Sequence, residues 1–340
     1  MNRKWLTYAL GIVAITAFLI SLPFVLRSPY WVSILIILGI YTLLVASLRT
    51  ITLIGVFSLG HVGFMLIGAY SSALLVMRTG LSFWAAFIIA GLVSAAVALL
   101  LSYPFLRVKG IYFAILTLLT AETFRLVAWN WKSLTGGNYG LINIPAPNPL
   151  TIPGLGIMQF ESFNSYYYLT LTVVVLSLFL LYRLEHSKAG FIWRAIREAD
   201  ILTRCVGINI MKFKIINFVV ACFFAGVAGA LFAHFQRSLS VDYSSTFGTM
   251  MSIYLIVYLV VGGPERFAGP ILGATVLIIA SEFARPLQEN QPILLGVITI
   301  LIVLYMAQGI VGLPNRFQLW YERALKRINR NTTSKTSLGG

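Results

Sequence analysis

Apolar residues run along this chain in long blocks, broken by charges and by Gly/Pro clusters. The blocks fall near 5–26, 31–48, 58–77, 82–102, 110–131, 165–183, 213–236, 246–262, 270–284 and 292–307. Most reach the roughly 17–25 residues that a helix needs to cross a bilayer. The block at 270–284 is short, and 50–60 reads either as a loop or as a re-entrant turn. The pattern predicts an all-α, polytopic transmembrane helical bundle of about ten spans. It is expected to form a single membrane domain over 1–315, with a basic tail over 316–340 that is disordered at its end. Arg3-Lys4 followed by an apolar run resembles a signal peptide, but the run from Trp5 to Leu26 is too long and lacks a small-residue cleavage site. It reads as a retained first helix.

Composition agrees with the blocks. Of 340 residues 59% are hydrophobic and 10% charged, with a mean hydropathy of +0.89. Soluble domains carry about 25% charged residues, because water wets their surface.

The cations set an orientation. With the N-terminus in the cytoplasm, nineteen Lys and Arg lie inside: Arg3, Lys4, Arg49, Arg107, Lys109, Arg183, Lys188, Arg194, Arg197, Arg204, Lys212, Lys214, Arg266 and six after Pro314. Five lie outside (Arg27, Arg78, Lys132, Arg237 and Arg285), and Arg125 falls within a span. Both termini are therefore expected in the cytoplasm. The net charge of +15 follows from this bias and from attraction to anionic headgroups. No segment offers the folded basic surface that nucleic-acid binding needs.

Two segments interrupt or burden the spans. Ile54 to Tyr70 carries Gly55, Gly60, Gly63 and Gly68 with Ser58 and His61 among them. Glycine permits close helix packing, and it also lets a helix unwind around a pathway. Any single glycine fits packing equally well, but the cluster favours a broken helix near a central pathway. Further on, Glu122 and Arg125 sit inside a span, where ionisable groups are costly unless paired or facing water. Three residues apart, they share a face and can neutralise each other. Pairing is favoured here over direct substrate binding.

Three loops complete the picture. Residues 132–164 form the longest outside segment, with Thr135-Gly136-Gly137-Asn138-Tyr139-Gly140-Leu141 and four prolines between 145 and 153. That chemistry suits an ordered loop over the outer mouth or a passive connector. Residues 187–209 are the sizeable cytoplasmic loop. At 100° per residue Ile192, Ala195, Ile196, Ala199, Leu202 and Val206 share one helical face, with Arg194, Arg197 and Arg204 opposite. Ser187 is the expected cap and Gly207 the expected stop. Such a helix lies on anionic lipid or docks in a partner's groove. Glu198 and Asp200 among the arginines favour docking. Last, Gly262-Gly263-Pro264-Glu265-Arg266 to Gly269-Pro270 makes a tight turn. With the 55–68 glycines it places one interrupted segment in each half, consistent with a five-plus-five inverted repeat.

Cys205 and Cys222 make no disulfide framework and are expected to be free thiols. His61, His186 and His234 lack a second ligand at helical spacing, so structural roles outweigh metal binding.

Together these segments resemble the permease of a branched-chain amino acid ABC importer, of the LivM type, over residues 35–315. The carriers are Ser58-Leu59-Gly60-His61, Gly110-Ile111-Tyr112-Phe113-Ala114-Ile115-Leu116-Thr117, Gly136 to Leu141, Arg194-Ala195-Ile196-Arg197-Glu198 with Gly207-Ile208-Asn209, and Gly262-Gly263 with Gly269-Pro270. The chain departs from the pattern at Pro264-Glu265-Arg266, where small residues and leucine are usual, and at Asp200, where glutamate is common. The resemblance implies a permease subunit in a bacterial or archaeal cytoplasmic membrane. Its implied partners are a homologous LivH-type permease, two cytoplasmic ATPase subunits that hold ATP-Mg, and an extracytoplasmic binding protein. This chain itself would bind no cofactor. The resemblance makes Arg194, Ala195, Ile196, Glu198, Ala199, Asp200 and Gly207 the ATPase-coupling candidates. Ser58, Gly60, His61, Gly63, Phe64, Tyr112 and Thr117 are the substrate-pathway candidates.

Permeases for urea and short amides are close alternatives. A Gly-Lys-Ser/Thr phosphate loop is absent, so a motor must come from elsewhere. An ion-coupled transporter would need carboxylates in the membrane, and the spans offer only Glu122 and Glu282. A membrane enzyme would need a catalytic constellation, and none is evident.

Overall fold

The computed structural model describes residues 19–23, 25, 28–152, 156–242, 246–305 and 309–310. Most of the first expected span and the whole 316–340 tail lie outside these. The chain forms two compact units, residues 1–254 and 255–340.

In the first unit the apolar blocks become α1 (Pro29–Thr52), α2 (His61–Thr79), α3 (Phe83–Arg107), α4 (Ile111–Asn130), α5 (Phe163–Glu185) and, after two short helices, α8 (Ile210–Gln236). These six are long and apolar enough to cross a membrane. The protein is thus a predominantly helical, multi-pass membrane protein. Local chemistry sets several ends. Pro29 opens α1, where its missing N–H is no loss. Ser162 caps α5 by accepting from the Ser165 amide, and Asn209 caps α8 by accepting from Lys212. Gly80 ends α2 in the left-handed region.

The core of this unit is α8, packed against α1, α2 and α3. Its buried side is built from small residues, among them Ala221, Ala225, Gly226, Gly229, Ala230 and Ala233. A Cβ on Gly229 would stand 2.0 Å from the Met65 carbonyl oxygen, and one on Gly68 would stand 2.2 Å from that of Gly226. Backbones therefore touch where α2 crosses α8. In lipid, where apolar side chains gain little by leaving the solvent, such close packing is what joins helices.

The unit has two ends of different character. One gathers residues 49–60, 107–110 and 185–214. The other gathers the end of α2 with residues 130–162 and 234–242. There the described residues of the 132–164 segment form a helical turn (Lys132–Thr135), a 3-10 turn (Gly137–Tyr139), strand β1 (Leu141–Ile142) and the antiparallel pair β2 (Leu150–Ile152) and β3 (Gly156–Met158). β1 pairs antiparallel with β4 (Ser238–Leu239), which follows α8. Arg78 donates to the carbonyls of Ser133 and Leu134, the Phe83 amide donates to Asn148, and His234 bonds both Ser72 and the Pro145 carbonyl.

In the second unit the continuation of α9 (Thr249–Gly262) meets α10 (Gly269–Phe283) at a glycine-lined turn. A Cβ on Gly273 would fall 1.9 Å from the Tyr258 carbonyl oxygen. A 3-10 segment (Arg285–Asn290) leads to α11 (Gln291–Tyr305). α9, α10 and α11 have 14, 15 and 15 residues, below the roughly 17 of an upright span.

The packing predicts a contrast. Gly229→Ala forces apart two backbones and should cost about 2 kcal/mol or more. Gly296→Ala, in a helix with nothing within 4 Å, should be neutral or stabilising by about 0.5–1 kcal/mol. Thermal unfolding in detergent micelles measures both; equal midpoints would contradict the crossing described.

Candidate functional site

Between α1 and α2 the chain leaves helical geometry over 53–60 while several of its residues, including Ile54, Ser58 and Gly60, stay buried. Buried backbone outside a helix must find its hydrogen-bond partners within the protein or in water. Here its groups are met from α4 and from within: the Leu59 amide donates to Thr117 Oγ1 on α4 at 3.1 Å, and the Gly60 amide donates to Ser58 Oγ of the same segment at 3.3 Å. Gly60 and Gly63 let this segment lie on α4. Cβ atoms there would stand 2.4 Å from the Thr117 carbonyl oxygen and 2.8 Å from Ala121 Cα. These two glycines thus serve close packing, and the break in the helix precedes His61.

His61 is buried, its Nε2 2.7 Å from Ser47 Oγ. Ser47 also lies 2.8 Å from the Leu44 carbonyl oxygen and donates its one hydroxyl proton there. The His61 Nε2–H must then be the donor to Ser47, leaving Nδ1 as an acceptor. That nitrogen is buried with no hydrogen-bond partner among the described residues, as is Asn217 Oδ1 on α8. The Asn217 amide donates to the Thr50 carbonyl at 2.8 Å. Phe64 stacks edge-on with Phe124 and Phe218. So Ser58, Gly60, His61, Gly63, Phe64 and Thr117 come together, whereas Tyr112 is 71% exposed on α4 and stands apart. Ser47 and Asn217 were not singled out from sequence, although each is a polar residue inside an apolar block.

Higher on α4, Arg125 holds Glu122 through Nη2 at 2.6 Å and through Nε at 3.0 and 3.1 Å. Arg125 also donates to the Val241 carbonyl, and Glu122 accepts from Thr249. The pair is thus part of a four-member network. A separate surface cavity of about 260 Å³, lined by Phe160, Ser162, Tyr166, His234 and Arg237 among others, contains none of the candidate pathway residues.

The 187–209 segment differs from the single amphipathic helix that the periodicity predicts. It is two helices, α6 (Lys188–Glu198) and α7 (Asp200–Cys205), broken where Ala199 leaves helical backbone at φ −152° and ψ 82°. Ser187 stands at the cap position, but its hydroxyl donates backwards to Leu184. Gly207, at φ +85°, ends α7. The buried side of α6 is Gly190, Trp193 and Ile196. The Trp193 indole N–H donates to the Phe213 carbonyl, and a Cβ on Gly190 would stand 1.9 Å from the Glu185 carbonyl oxygen. Ile196 therefore anchors α6 inward, away from its expected outward face. Phe191, Ala195, Glu198, Ile201, Leu202 and Val206 are exposed. The break at Ala199 is what rotates the two helices out of one common stripe.

Charges hold these helices. Arg49, in the last turn of α1, grips Glu185 at the end of α5 by two bonds of 2.5 and 2.9 Å, with side chains only 3% and 8% exposed. Arg194 reaches the same carboxylate at 3.0 Å. On α7, Asp200 lies 3.6 Å from Lys109 and 3.9 Å from Lys214. Two of the coupling candidates, Arg194 and Asp200, thus face their own bundle. Glu185 was overlooked in the sequence, although a lone acid beside Arg183 at a span end hints at a partner.

The Glu122–Arg125 network predicts strong non-additivity. Glu122→Leu or Arg125→Leu alone should cost about 3–5 kcal/mol, and the double replacement clearly less than their sum. A double-mutant cycle on detergent-solubilised protein measures it, and additive losses would show the charges to be independent.

The chain matches the family model described as branched-chain amino acid transport system / permease component over residues 30–306. It is 34% identical over 323 residues to the high-affinity branched-chain amino acid transport system permease protein LivM of Escherichia coli K12, covering 89% of this chain and 74% of that one. A Haloferax volcanii protein with the provisional name of a glucose ABC transporter permease is 29% identical over 228 residues, 65% of this chain and 66% of that one. A Methanocaldococcus jannaschii protein, provisionally named as the branched-chain amino acid transport permease LivH, is 25% identical over 160 residues, 44% of this chain and 49% of its own. No solved structure matches the chain.

Proposed function

We propose, because this chain belongs to the family of branched-chain amino acid transport system permease components, that it is the LivM-type membrane subunit of an ABC importer. It carries branched-chain, aliphatic amino acids inward across the cytoplasmic membrane of a bacterium or archaeon. ATP-Mg is hydrolysed on two separate ATPase subunits. A homologous LivH-type permease completes the pathway, and an extracytoplasmic binding protein delivers the ligand. Likeness to a LivH-named protein as well as to LivM supports a pair of related permeases.

The observation that carries this reading is the end of the first unit formed by α6 and α7. Arg49, Arg107, Lys109, Arg183, Lys188, Arg194, Arg197, Arg204, Lys212 and Lys214 all belong to that end or its loops, which suits the cytoplasmic side. From it project Phe191, Ala195, Leu202 and Val206, apolar and exposed, in the pattern of a short helix that seats in a partner's groove. Ala195, Glu198, Ala199 and Gly207 are the docking residues in this reading. Arg194 and Asp200 serve to hold the helices in place.

The polar cluster of Ser58, His61 and Thr117, with Ser47 and Asn217, is the proposed lining of the pathway. Buried acceptors without partners, such as His61 Nδ1, suit an ammonium group or a water. About ten crossings, with both termini cytoplasmic, require α9, α10 and α11 to count as spans despite their length. A five-plus-five inverted repeat then places the 53–60 break and the 262–269 turn in corresponding halves. A relative named for glucose keeps a second substrate class in view.

Purification from native membranes should recover two ATPase subunits and a second permease with this chain. In proteoliposomes, leucine, isoleucine or valine with the binding protein should stimulate ATP hydrolysis, and urea, acetamide and glucose should not. Recovery of the chain alone, with uptake driven by a proton or sodium gradient, would falsify the importer reading; stimulation by urea or glucose would replace only the substrate. Ala195→Asp, on the exposed side, should abolish uptake while leaving the protein inserted. Ile196→Asp should instead lower the yield of folded protein, since it places a carboxylate at a buried position. Full uptake by Ala195→Asp would reject docking through that side.

A further inference from the structure

We infer that Arg194 is a positioning residue for energy coupling, linking α6 to α1 and to the 53–60 break through Glu185 and Arg49. The inference rests on the importer reading, since it gives the docked helix a route into the bundle.

The geometry separates two roles within one cluster. Arg49 and Glu185 are buried and meet as a two-bond pair, Nη1 to Oε2 and Nη2 to Oε1. That pair is neutral without help. Arg194 adds a bond to Oε1 at 3.0 Å and a longer one to the Glu185 backbone carbonyl at 3.4 Å, from a side chain that is 40% exposed. It is not needed to neutralise Glu185. As a half-exposed ion pair it adds little stability. What it does is tie the middle of α6 to a carboxylate already locked to the last turn of α1.

A second contact makes the tie directional. Gly55, at φ +81° in the 53–60 segment, lies against α6: a Cβ there would stand 3.4 Å from Arg197 Cγ and 3.5 Å from Arg197 Cα. α6 thus holds the end of α1 by charge and abuts the following segment by contact. That segment continues to Leu59, bonded to Thr117 on α4, and to His61, bonded to Ser47 on α1. A displacement of α6 would reach the proposed pathway through these contacts and the chain that joins them. Coupling through such a network needs an energetic test, because adjacency alone is not coupling.

The test uses the whole complex in proteoliposomes with radiolabelled leucine. Arg194→Met keeps the apolar stem and removes the bond. The expected result is normal recovery of the ATPase subunits and an unchanged thermal midpoint. The half-saturating concentration of loaded binding protein should also be unchanged. Leucine transported per ATP hydrolysed should fall about five- to tenfold, within the usual range for coupling between sites. Arg194→Lys, which can still reach Glu185 Oε1, should restore most of the ratio, and Arg194→Gln should not. A ratio unchanged in Arg194→Met overturns the inference. So does a ratio that falls only because ATPase subunits are lost, since Arg194 would then touch the partner directly. If the wild-type complex lacks ATPase subunits or takes up no leucine, the importer reading fails and this inference falls with it.

Discussion

The contact on which the first unit depends is the crossing of α2 over α8, where backbones meet with no side chain between them. Gly68 rests on the Gly226 carbonyl and Gly229 on that of Met65. A bilayer gives helices no hydrophobic reason to associate, so shape and dispersion at short range must do it. With α8 drawn in this far, its other sides meet α1 and α3. The Ser94 hydroxyl of α3 then sits between carbonyls of both neighbours, Phe64 on α2 at 3.1 Å and Cys222 on α8 at 2.9 Å, with one proton to share between them. Three helices are fixed by one narrow seam.

That seam also explains where polar groups are placed. A polar side chain in a span must find a partner inside the protein. Ser47, His61, Thr50 and Asn217 lie on the sides of α1, α2 and α8 that face one another. Farther along the same helices, Ser72 and His234 pair at 2.9 Å. The exposed faces of α3 and α5 carry instead Ile88, Leu92, Leu99, Val175, Leu176 and Phe179, which lipid accepts. Glu122 and Arg125 form a third polar group, joined by the Val241 carbonyl and the Thr249 hydroxyl.

Much of this was legible in the sequence because hydropathy and bilayer thickness constrain each other. Each of the nine apolar blocks from 31–48 onward contains a helix among the described residues, and α1, α2 and α4 start within three residues of the expected positions. The turns of the 132–164 segment could be read from its Gly, Pro and Asn content. What periodicity missed was the break at Ala199, a residue with good helix propensity. Nothing local announces it; Asp200 is drawn to Lys109 and Lys214, and tertiary attraction outweighs propensity. Arg49–Glu185 was invisible for a similar reason: 136 residues separate the partners, and a single sequence carries no pairing information over that distance. The glycines of 55–68 were ambiguous between packing and a broken helix because both occur, Gly60, Gly63 and Gly68 in packing and Gly55 in the break.

The same long-range charges decide how α6 and α7 meet whatever covers them. A 23-residue polar loop left to itself would fluctuate, and any partner would have to order it at a free-energy cost. Here the ordering is done internally. Trp193 and Gly190 seat α6 on the bundle, while Glu185 and the Asp200–lysine contacts hold both helices from the side. The apolar side chains that remain outward, Phe191, Leu202 and Val206, are therefore presented by a scaffold already fixed in place. In the proposed importer a surface held this way would transmit force as well as bind, because a push on it would not be absorbed by the loop. The break at Ala199 belongs to that design: it lets two short helices each satisfy their own charge partner, which one continuous helix could not do with Arg194 and Asp200 six residues apart.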